Sequence, residues 1–335
     1  MRAVRAGLIG FGSVGRRLLL ELYSHPLVRG RVEVGYILSS RGGVRGGLDE
    51  ALRLAGRDEK LDNHSEFMES LGYRDILGDV ELAFIAIPPS YAEGEPNLTM
   101  YSELLGRGVS IITADKTGLA LRYSTLTGLA ERMKAYIGYR ATVAAGIPAI
   151  DAARGLRGRR IREVRAVLNA TTNYILGFVE KGLSLSEAIR RAVEERLAEP
   201  DPRIDVEGWD AAAKIAILSS TLGYEASIRD VDRRPLTELG EEEIREAAGR
   251  GFRAKYIAEA HPAEKELKVY PTLLEADNPL ARTESNENTI IFSLEEEGEV
   301  LLSGPVGPAW RTAKTMITDL IEYLEWRSRI QTPVA

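Results

Sequence analysis

The 335-residue chain contains no cysteine. That absence excludes disulfides, cysteine-ligated zinc and thiol nucleophiles. Histidine is almost as scarce: His25, His64 and His261 are the only three, each in a polar or turn-like setting. A dehydrogenase that uses histidine as its general acid or base is therefore poorly supported, and proton chemistry must come from Lys, Asp, Glu or Tyr. No apolar run approaches the ~18–20 residues of a membrane span. Met1-Arg-Ala-Val-Arg5 leads straight into an apolar strand pattern rather than a signal-peptide layout, so a cytoplasmic protein without membrane contact is expected. The formal net charge of −6 is modest and spread along the chain, which argues against a nucleic-acid footprint. Lysine is also sparse, nine of the 44 Lys and Arg residues, a bias found in some heat-adapted families.

The length is comfortable for two domains. In the first part, Ala3–Ile9 is an apolar run ending in Gly10-Phe-Gly12-Ser-Val-Gly15, and Arg16–Tyr23 reads as a helix. Val32–Ser39 is a second buried-strand run, Leu82–Ile87 a third, closed by Pro88-Pro89, and Val109–Thr113 a fourth, with Met100–Leu105 helical between the last two. Strands alternating with helices indicate an α/β domain with a doubly wound parallel sheet. Beyond about residue 140 the alternation is lost. Val164–Leu168, Lys268–Leu274, Thr289–Leu294 and Val300–Leu302 read as strands, and Asn173–Glu180, Ser186–Arg196 and Asp210–Thr221 as helices. This is the texture of an α+β domain. We expect domain one over 1–138, domain two over 139–304, and a last helix within 305–335 that packs back on domain one.

Gly10, Gly12 and Gly15 follow a strand and open a helix, the context a dinucleotide fingerprint requires. The first glycine permits the tight turn, the second lets the backbone approach a pyrophosphate, and the third allows close helix–strand packing. The helix N-terminus then presents amides to the phosphates. At the end of the second strand the chain reads Ser39-Ser40-Arg41, with no acid to bond a ribose 2′-hydroxyl. Arg41 suits a 2′-phosphate, which favours NADP(H) and leaves NAD(H) open; Arg41 as a solvated loop residue is the alternative. Arg57 and Lys60 are weaker candidates for the same role.

A second polar cluster spans Glu199-Pro-Asp201-Pro through Asp205, Gly208 and Asp210-Ala-Ala-Ala-Lys214. The prolines force an extended segment. Asp210 and Lys214, four residues apart, share one helix face. A lysine on an otherwise apolar helix is costly unless paired or used, and such an ammonium can give a proton to a developing alkoxide. A surface ion pair is the alternative reading. Lys116 sits just past a strand C-terminus, where doubly wound folds place ligands, or is a loop lysine.

Taken together, these motifs resemble homoserine dehydrogenases. The resemblance rests on Gly10–Gly15, Ile112-Thr-Ala-Asp-Lys116-Thr-Gly-Leu-Ala, Thr142-Val-Ala-Ala-Gly-Ile-Pro148, Asn169-Ala-Thr-Thr-Asn-Tyr-Ile-Leu176, the Glu199–Lys214 segment, Asn278-Pro-Leu-Ala281 and Gly304–Ala313. It implies a Rossmann-type nucleotide domain, a catalytic and dimerisation domain, a homodimer, and reversible NAD(P)H-dependent reduction of L-aspartate 4-semialdehyde to L-homoserine. By the resemblance, Lys214 is the proton donor and Lys116 assists. Glu199 and Asp210 hold the substrate, Asp205 supports Lys214, and Ala170 and Thr171 line the pocket. Cofactor contacts fall to Gly10, Phe11, Gly12, Ser13, Val14, Gly15, Ser40, Arg41, Pro88, Lys116 and Gly304.

Three departures stand out. Arg196 and Leu197 replace a Gly-Tyr pair, and the closing loop reads Gly304-Pro-Val-Gly307-Pro. Arg140 stands where many members have a glutamate beside a cation held by backbone carbonyls, here those of Val143, Ala145 and Ile147. A cation next to a cation is unfavourable, so no metal is expected. Aspartate-semialdehyde dehydrogenase needs a nucleophilic cysteine and is excluded. Another small aldehyde or keto-acid reductase, an amino-acid dehydrogenase and a catalytically weakened NADP-binding sensor remain as rivals.

Overall fold

The computed structural model describes residues 2–195, 202–284 and 286–331. Its chain divides into two compact units, residues 1–145 with 307–335, and residues 146–306. In the first unit the elements are β1 (Val4–Ile9), α1 (Ser13–Ser24), β2 (Val32–Ser39), β3 (Gly42–Arg45), α2 (Leu48–Gly56), β4 (Leu82–Ile85), α3 (Asn97–Gly106), β5 (Ser110–Thr113), α4 (Thr117–Arg132) and β6 (Ile137–Gly138). The second unit carries α5 (Ala149–Gly155), β7 (Ile161–Val167), α6 (Ala170–Val179), α7 (Leu185–Glu194), α8 (Arg203–Val206), α9 (Trp209–Leu222), β8 (Val231–Arg233), α10 (Glu241–Gly249), β9 (Phe252–His261), β10 (Glu266–Glu275), β11 (Glu287–Leu294) and β12 (Gly298–Pro305). The chain then returns to the first unit as α11 (Ala309–Gln331).

Among the described residues the first unit is built on a six-stranded sheet in the order β3-β2-β1-β4-β5-β6. All its pairs are parallel except the β2–β3 hairpin. The strand order reverses between β2 and β4 on either side of β1, and the C-terminal edge at such a switch point is where doubly wound folds place ligands. The fold is thus the α/β doubly wound sheet that the alternation predicts. Val4, Ala6, Leu8, Leu82, Phe84 and Ile112 are buried with Leu18, Leu19 and Leu22 of α1 and with Ala313, Met316, Ile317 and Leu320 of α11. That burial accounts for the return of α11: its apolar stripe completes this core. Ion pairs fasten it: Arg327 with Glu81 at 2.7 Å, and Arg140 with both Asp319, at 2.7 Å, and Glu322, with Asp319 fully buried.

The second unit has a six-stranded sheet, β12-β11-β7-β9-β10-β8, antiparallel but for the β8–β10 pair. Strand β9 is absent from the sequence reading. Lys255 and Glu259 interrupt its apolar pattern, although Lys255 is itself buried, and a charge on a covered strand hides the period-2 signal. The sequence pattern likewise does not announce β3, β6, β8, α2, α4, α5, α8 or α10, and its apolar run carries β4 on to Ile87. In the structure β4 stops at Ile85, and Ala86, Ile87 and Pro88 turn away to line a cavity. No helix among the described residues is long and apolar enough to cross a membrane.

Candidate active site

The first unit contributes a cavity of about 800 Å³ at the switch point, lined by Gly10, Phe11, Gly12, Ser39, Ser40, Arg41, Lys60, Asp62, Tyr73 and Pro88 among others. Gly10 adopts φ +105°, and a Cβ there would lie 2.2 Å from the Ala86 carbonyl oxygen. A Cβ on Gly15 would lie 1.9 Å from the Gly10 carbonyl oxygen, so α1 crosses β1 at a distance only glycine allows. Gly12 differs: a Cβ there would meet no protein atom within 4 Å, and Gly12 lines the cavity. Helix α1 begins at Ser13, followed by Val14 and Gly15, with no side-chain cap and no acidic residue in its first turn. Its first amides are therefore available to an anion, and the macrodipole favours one. A pyrophosphate fits this cradle in backbone shape and in charge.

Arg41 faces the same cavity, ion-paired to Asp62. Asp62 brings a carboxylate into the cavity, whereas the end of β2 carries none. Sequence reasoning missed it because it follows the strand by some twenty residues, inside a loop with no periodic signal.

Lys116 ends the β5 crossover and precedes α4. Its neighbour Asp115 is buried and accepts from the Thr117 amide at 3.0 Å, the Thr117 hydroxyl at 2.7 Å and Asn97 at 3.1 Å. Burial pushes the Asp115 carboxyl above its ordinary pKa, against the pull of those bonds and of the Lys116 charge. The Asp115-Lys116-Thr117 turn is thereby held rigidly at the strand end.

In the second unit, β7 gives way at Leu168 and Asn169 to α6. Asn169 caps that helix, its Oδ1 accepting from the Thr172 amide at 2.8 Å, so the helix starts at Ala170 and Thr171. The Asn169 amide nitrogen donates to Asp205 Oδ1 at 2.6 Å and to Asp210 Oδ2 at 3.0 Å. Lys214 Nζ donates to the same Asp210 Oδ2 at 2.6 Å and to the Leu168 carbonyl at 2.6 Å. Helix α9 presents these groups because it is otherwise nearly all buried: Ala211, Ala212, Ala213 and Ile215–Leu222 are all covered. Gly208 starts it at φ +79°, and a Cβ there would lie 2.5 Å from Tyr256 Oη.

The structure thus gathers Asp205, Asp210, Lys214 and the α6 N-terminus into one network and adds Asn169, which the sequence reading quoted only as part of a motif. The sequence pattern places the helix start at Asn173, whereas α6 begins at Ala170, so the cap position of Asn169 does not stand out. Lys214 is a partly buried ion-pair member, its side chain 14% exposed, rather than the surface pair held open as an alternative. Glu199 and the neighbouring Arg196 and Leu197 lie outside the described residues. Gly304 sits on β12 opposite Asn288, with Ile147 against the space a Cβ would take. Arg140 is not a bare charge: Asp319 and Glu322 both pair with it, which removes the repulsion argued above. Val143 and Ala145 close the first unit and Ile147 lies in the second; no metal role follows from their position.

A doubly wound nucleotide domain with an anion cradle, joined to a domain bearing a partly buried Lys–Asp pair, defines an NAD(P)-dependent oxidoreductase. Residues 148–321 match the model of the family described as homoserine dehydrogenase. The homoserine dehydrogenase of Sulfurisphaera tokodaii is 34% identical over 327 residues, covering 94% of this chain and 96% of that one. An NAD(+)-dependent homoserine dehydrogenase from Pseudomonas canavaninivorans is 30% identical over 349 residues, covering 99% of each. A hyperthermophilic archaeal homoserine dehydrogenase solved with NADPH superposes with a TM-score of 0.82 at 29% identity, covering 96% of this chain and 98% of that one. The chain belongs to the homoserine dehydrogenase family, and is an oxidoreductase acting on a CH–OH group.

Proposed function

We propose that Lys214 is the proton donor and acceptor in the reversible conversion of L-aspartate 4-semialdehyde to L-homoserine, with Lys116 assisting. One observation carries the reading. The Lys214 ammonium is fixed by Asp210 and the Leu168 carbonyl, and its third N–H has no partner among the described residues. That hydrogen is the one to donate. The nicotinamide, when bound, supplies the hydride. Negative charge then builds on the carbonyl oxygen, and a positioned ammonium stabilises and protonates it. Ala170 and Thr171, at the start of α6, shape the substrate pocket; Asp210 and Glu199 recognise its polar groups; Asp205 steadies Asp210 through Asn169.

Gly10–Gly15, Ser40, Arg41 and Pro88 hold the cofactor, with Gly304 and Lys116 as further contacts. NADP(H) is favoured through Arg41, and NAD(H) remains usable, since Asp62 can accept from a ribose 2′-hydroxyl. The unit of residues 1–145 serves as the nucleotide domain, with 307–335 returning to it, and the unit of residues 146–306, which begins some seven residues later than the expected 139, serves substrate binding, catalysis and dimerisation. The homodimer forms through the second sheet, where Ile291 lies opposite Leu301, 47% exposed. The protein works in the cytoplasm.

The decisive assay follows NADP+ reduction with L-homoserine at alkaline pH for the wild type, Lys116→Ala and Lys214→Ala. Lys214→Ala should lose at least ~10²-fold in kcat while still binding NADPH. Full activity in that variant overturns the assignment, and an inactive wild type that binds NADPH favours the sensor reading.

A further inference from the structure

A second cavity, of about 540 Å³, lies wholly within the second unit, bounded by α6, the start of β9 and residues 281–284. At its base is Lys255, only 8% exposed. Its ammonium donates to Asn173 Oδ1 at 2.6 Å and to the Thr283 carbonyl at 2.8 Å. Both acceptors are neutral. Among the described residues Lys255 makes no ion pair and its third N–H has no partner. A buried cation with no counter-ion is costly. Burial lowers the Lys255 pKa to about 8, so the side chain is still mostly charged at neutral pH.

Three more cations line the same cavity: Lys181, Arg253 and Arg282. None is in an ion pair among the described residues; Arg253 donates to the Phe252 carbonyl and Lys181 lies over the Phe178 ring. Against them stand two acids, Glu180 and Glu284. One Glu180 oxygen is engaged by the Ala254 amide at 2.6 Å. The cavity is therefore net positive, with the Tyr174–Phe178 ring pair, centroids 4.7 Å apart, as its apolar wall.

From this arrangement we propose that the cavity binds a small organic anion, a carboxylate or phosphate compound, with Lys255 as its buried counter-charge and Lys181 and Arg282 at its rim. The site is separate from the Lys214 network, although both use α6: Asn169 caps the helix and Asn173, one turn on, holds Lys255. A volume of this size accommodates a metabolite of amino-acid or sugar-phosphate dimensions. The proposal does not depend on the functional reading above.

The test is calorimetric titration of the full chain at neutral pH and low salt, with NADP+ saturating to fill the nucleotide cavity. Inorganic phosphate and succinate are the two probes, and they separate phosphate from carboxylate recognition. Saturable binding of at least one is expected. Lys181→Ala and Arg282→Ala, both at exposed positions, should each weaken it about three- to fivefold, and Lys255→Met should abolish it. Absence of saturable binding by either probe overturns the proposal. So does binding that all three substitutions leave unchanged, which would place the anion elsewhere. If Lys255→Met does not fold, the two rim variants decide alone.

Discussion

Asn169 and Lys214 donate to the same oxygen of one carboxylate, Asp210 Oδ2, from 3.0 Å and 2.6 Å. Both donors belong to one structural joint, because the Lys214 ammonium also rests on the carbonyl of Leu168, the residue before Asn169. The end of β7, the cap of α6 and the face of α9 are thereby locked in one hydrogen-bonded unit. Networks of this kind hold their members in a single geometry when every group is satisfied.

The joint makes Asn169 a positioning residue with a sharp test. Asn169→Asp keeps the cap acceptor, since aspartate serves there as well as asparagine. It replaces the donating amide with oxygen facing two carboxylates. Like charges raise one another's pKa, so the acid limb of the kcat/KM profile for homoserine oxidation should move to higher pH, with kcat down roughly 10- to 100-fold. Asn169→Ser, which keeps a cap but cannot bridge Asp205 and Asp210, should lose activity without that displacement. A profile unchanged in Asn169→Asp would remove the amide from the catalytic arrangement.

Glycines 12 and 15 have different roles in the fingerprint, and they should respond oppositely to alanine. At Gly12 an added methyl meets no protein atom within 4 Å, so Gly12→Ala should fold with its Tm almost unchanged. It should lose about tenfold or more in NADPH affinity, because the methyl projects where the backbone must approach the pyrophosphate. At Gly15 the methyl would lie 1.9 Å from the Gly10 carbonyl oxygen. Relieving that overlap moves α1 off β1, and overpacking of this kind costs roughly 1–3 kcal/mol or more. Thermal melts and fluorescence titration with NADPH on the two variants separate the roles.

How far these features could be read in the sequence depended on whether the signal was local. Gly10–Gly15 announces a strand–turn–helix with its ligand end, and β2 appears over the expected residues because Val32 and Val34 alternate with the exposed Glu33 before the apolar stretch Tyr36-Ile37-Leu38. The Asp210–Lys214 pair followed from helical spacing alone. Asp62 and Lys255 did not follow. Asp62 enters the nucleotide cavity from a loop after α2, and Lys255 breaks the apolar pattern of β9 while being buried by α6 and residues 281–284. Each becomes meaningful only when segments distant in sequence are brought together, as does the shared oxygen of Asp210.

The pairing of Arg41 with Asp62 predicts how cofactor choice can be moved. Arg41 attracts a 2′-phosphate and Asp62 repels it, while Asp62 alone accepts from a 2′-hydroxyl. Arg41→Ala should therefore weaken NADPH about tenfold and leave NADH nearly as it was. Asp62→Asn should strengthen NADPH relative to NADH. Dissociation constants for both cofactors against both variants test this. An unchanged NADPH/NADH ratio in Arg41→Ala would detach Arg41 from the 2′-position.

Lys255 predicts an unusual pH dependence of stability. Its folded pKa of about 8 lies below the ordinary 10.5 because burial disfavours the ammonium; the nearby Glu180 charge opposes that shift and Arg253 adds to it. Below about 8 both folded and unfolded chains carry the proton. Between about 8 and 10.5 the unfolded chain keeps it and the folded chain has released it, so the unfolded state binds more protons and stability rises with pH. Across that window the gain approaches about 3 kcal/mol. Lys255→Met cannot show it. Urea unfolding of both proteins at pH 7.5 and 9.5, in phosphate-free buffers so that no anion neutralises the lysine, gives the difference directly. The wild type should gain stability relative to Lys255→Met as pH rises, and a difference that stays flat or falls would show that Lys255 does not bear a buried charge.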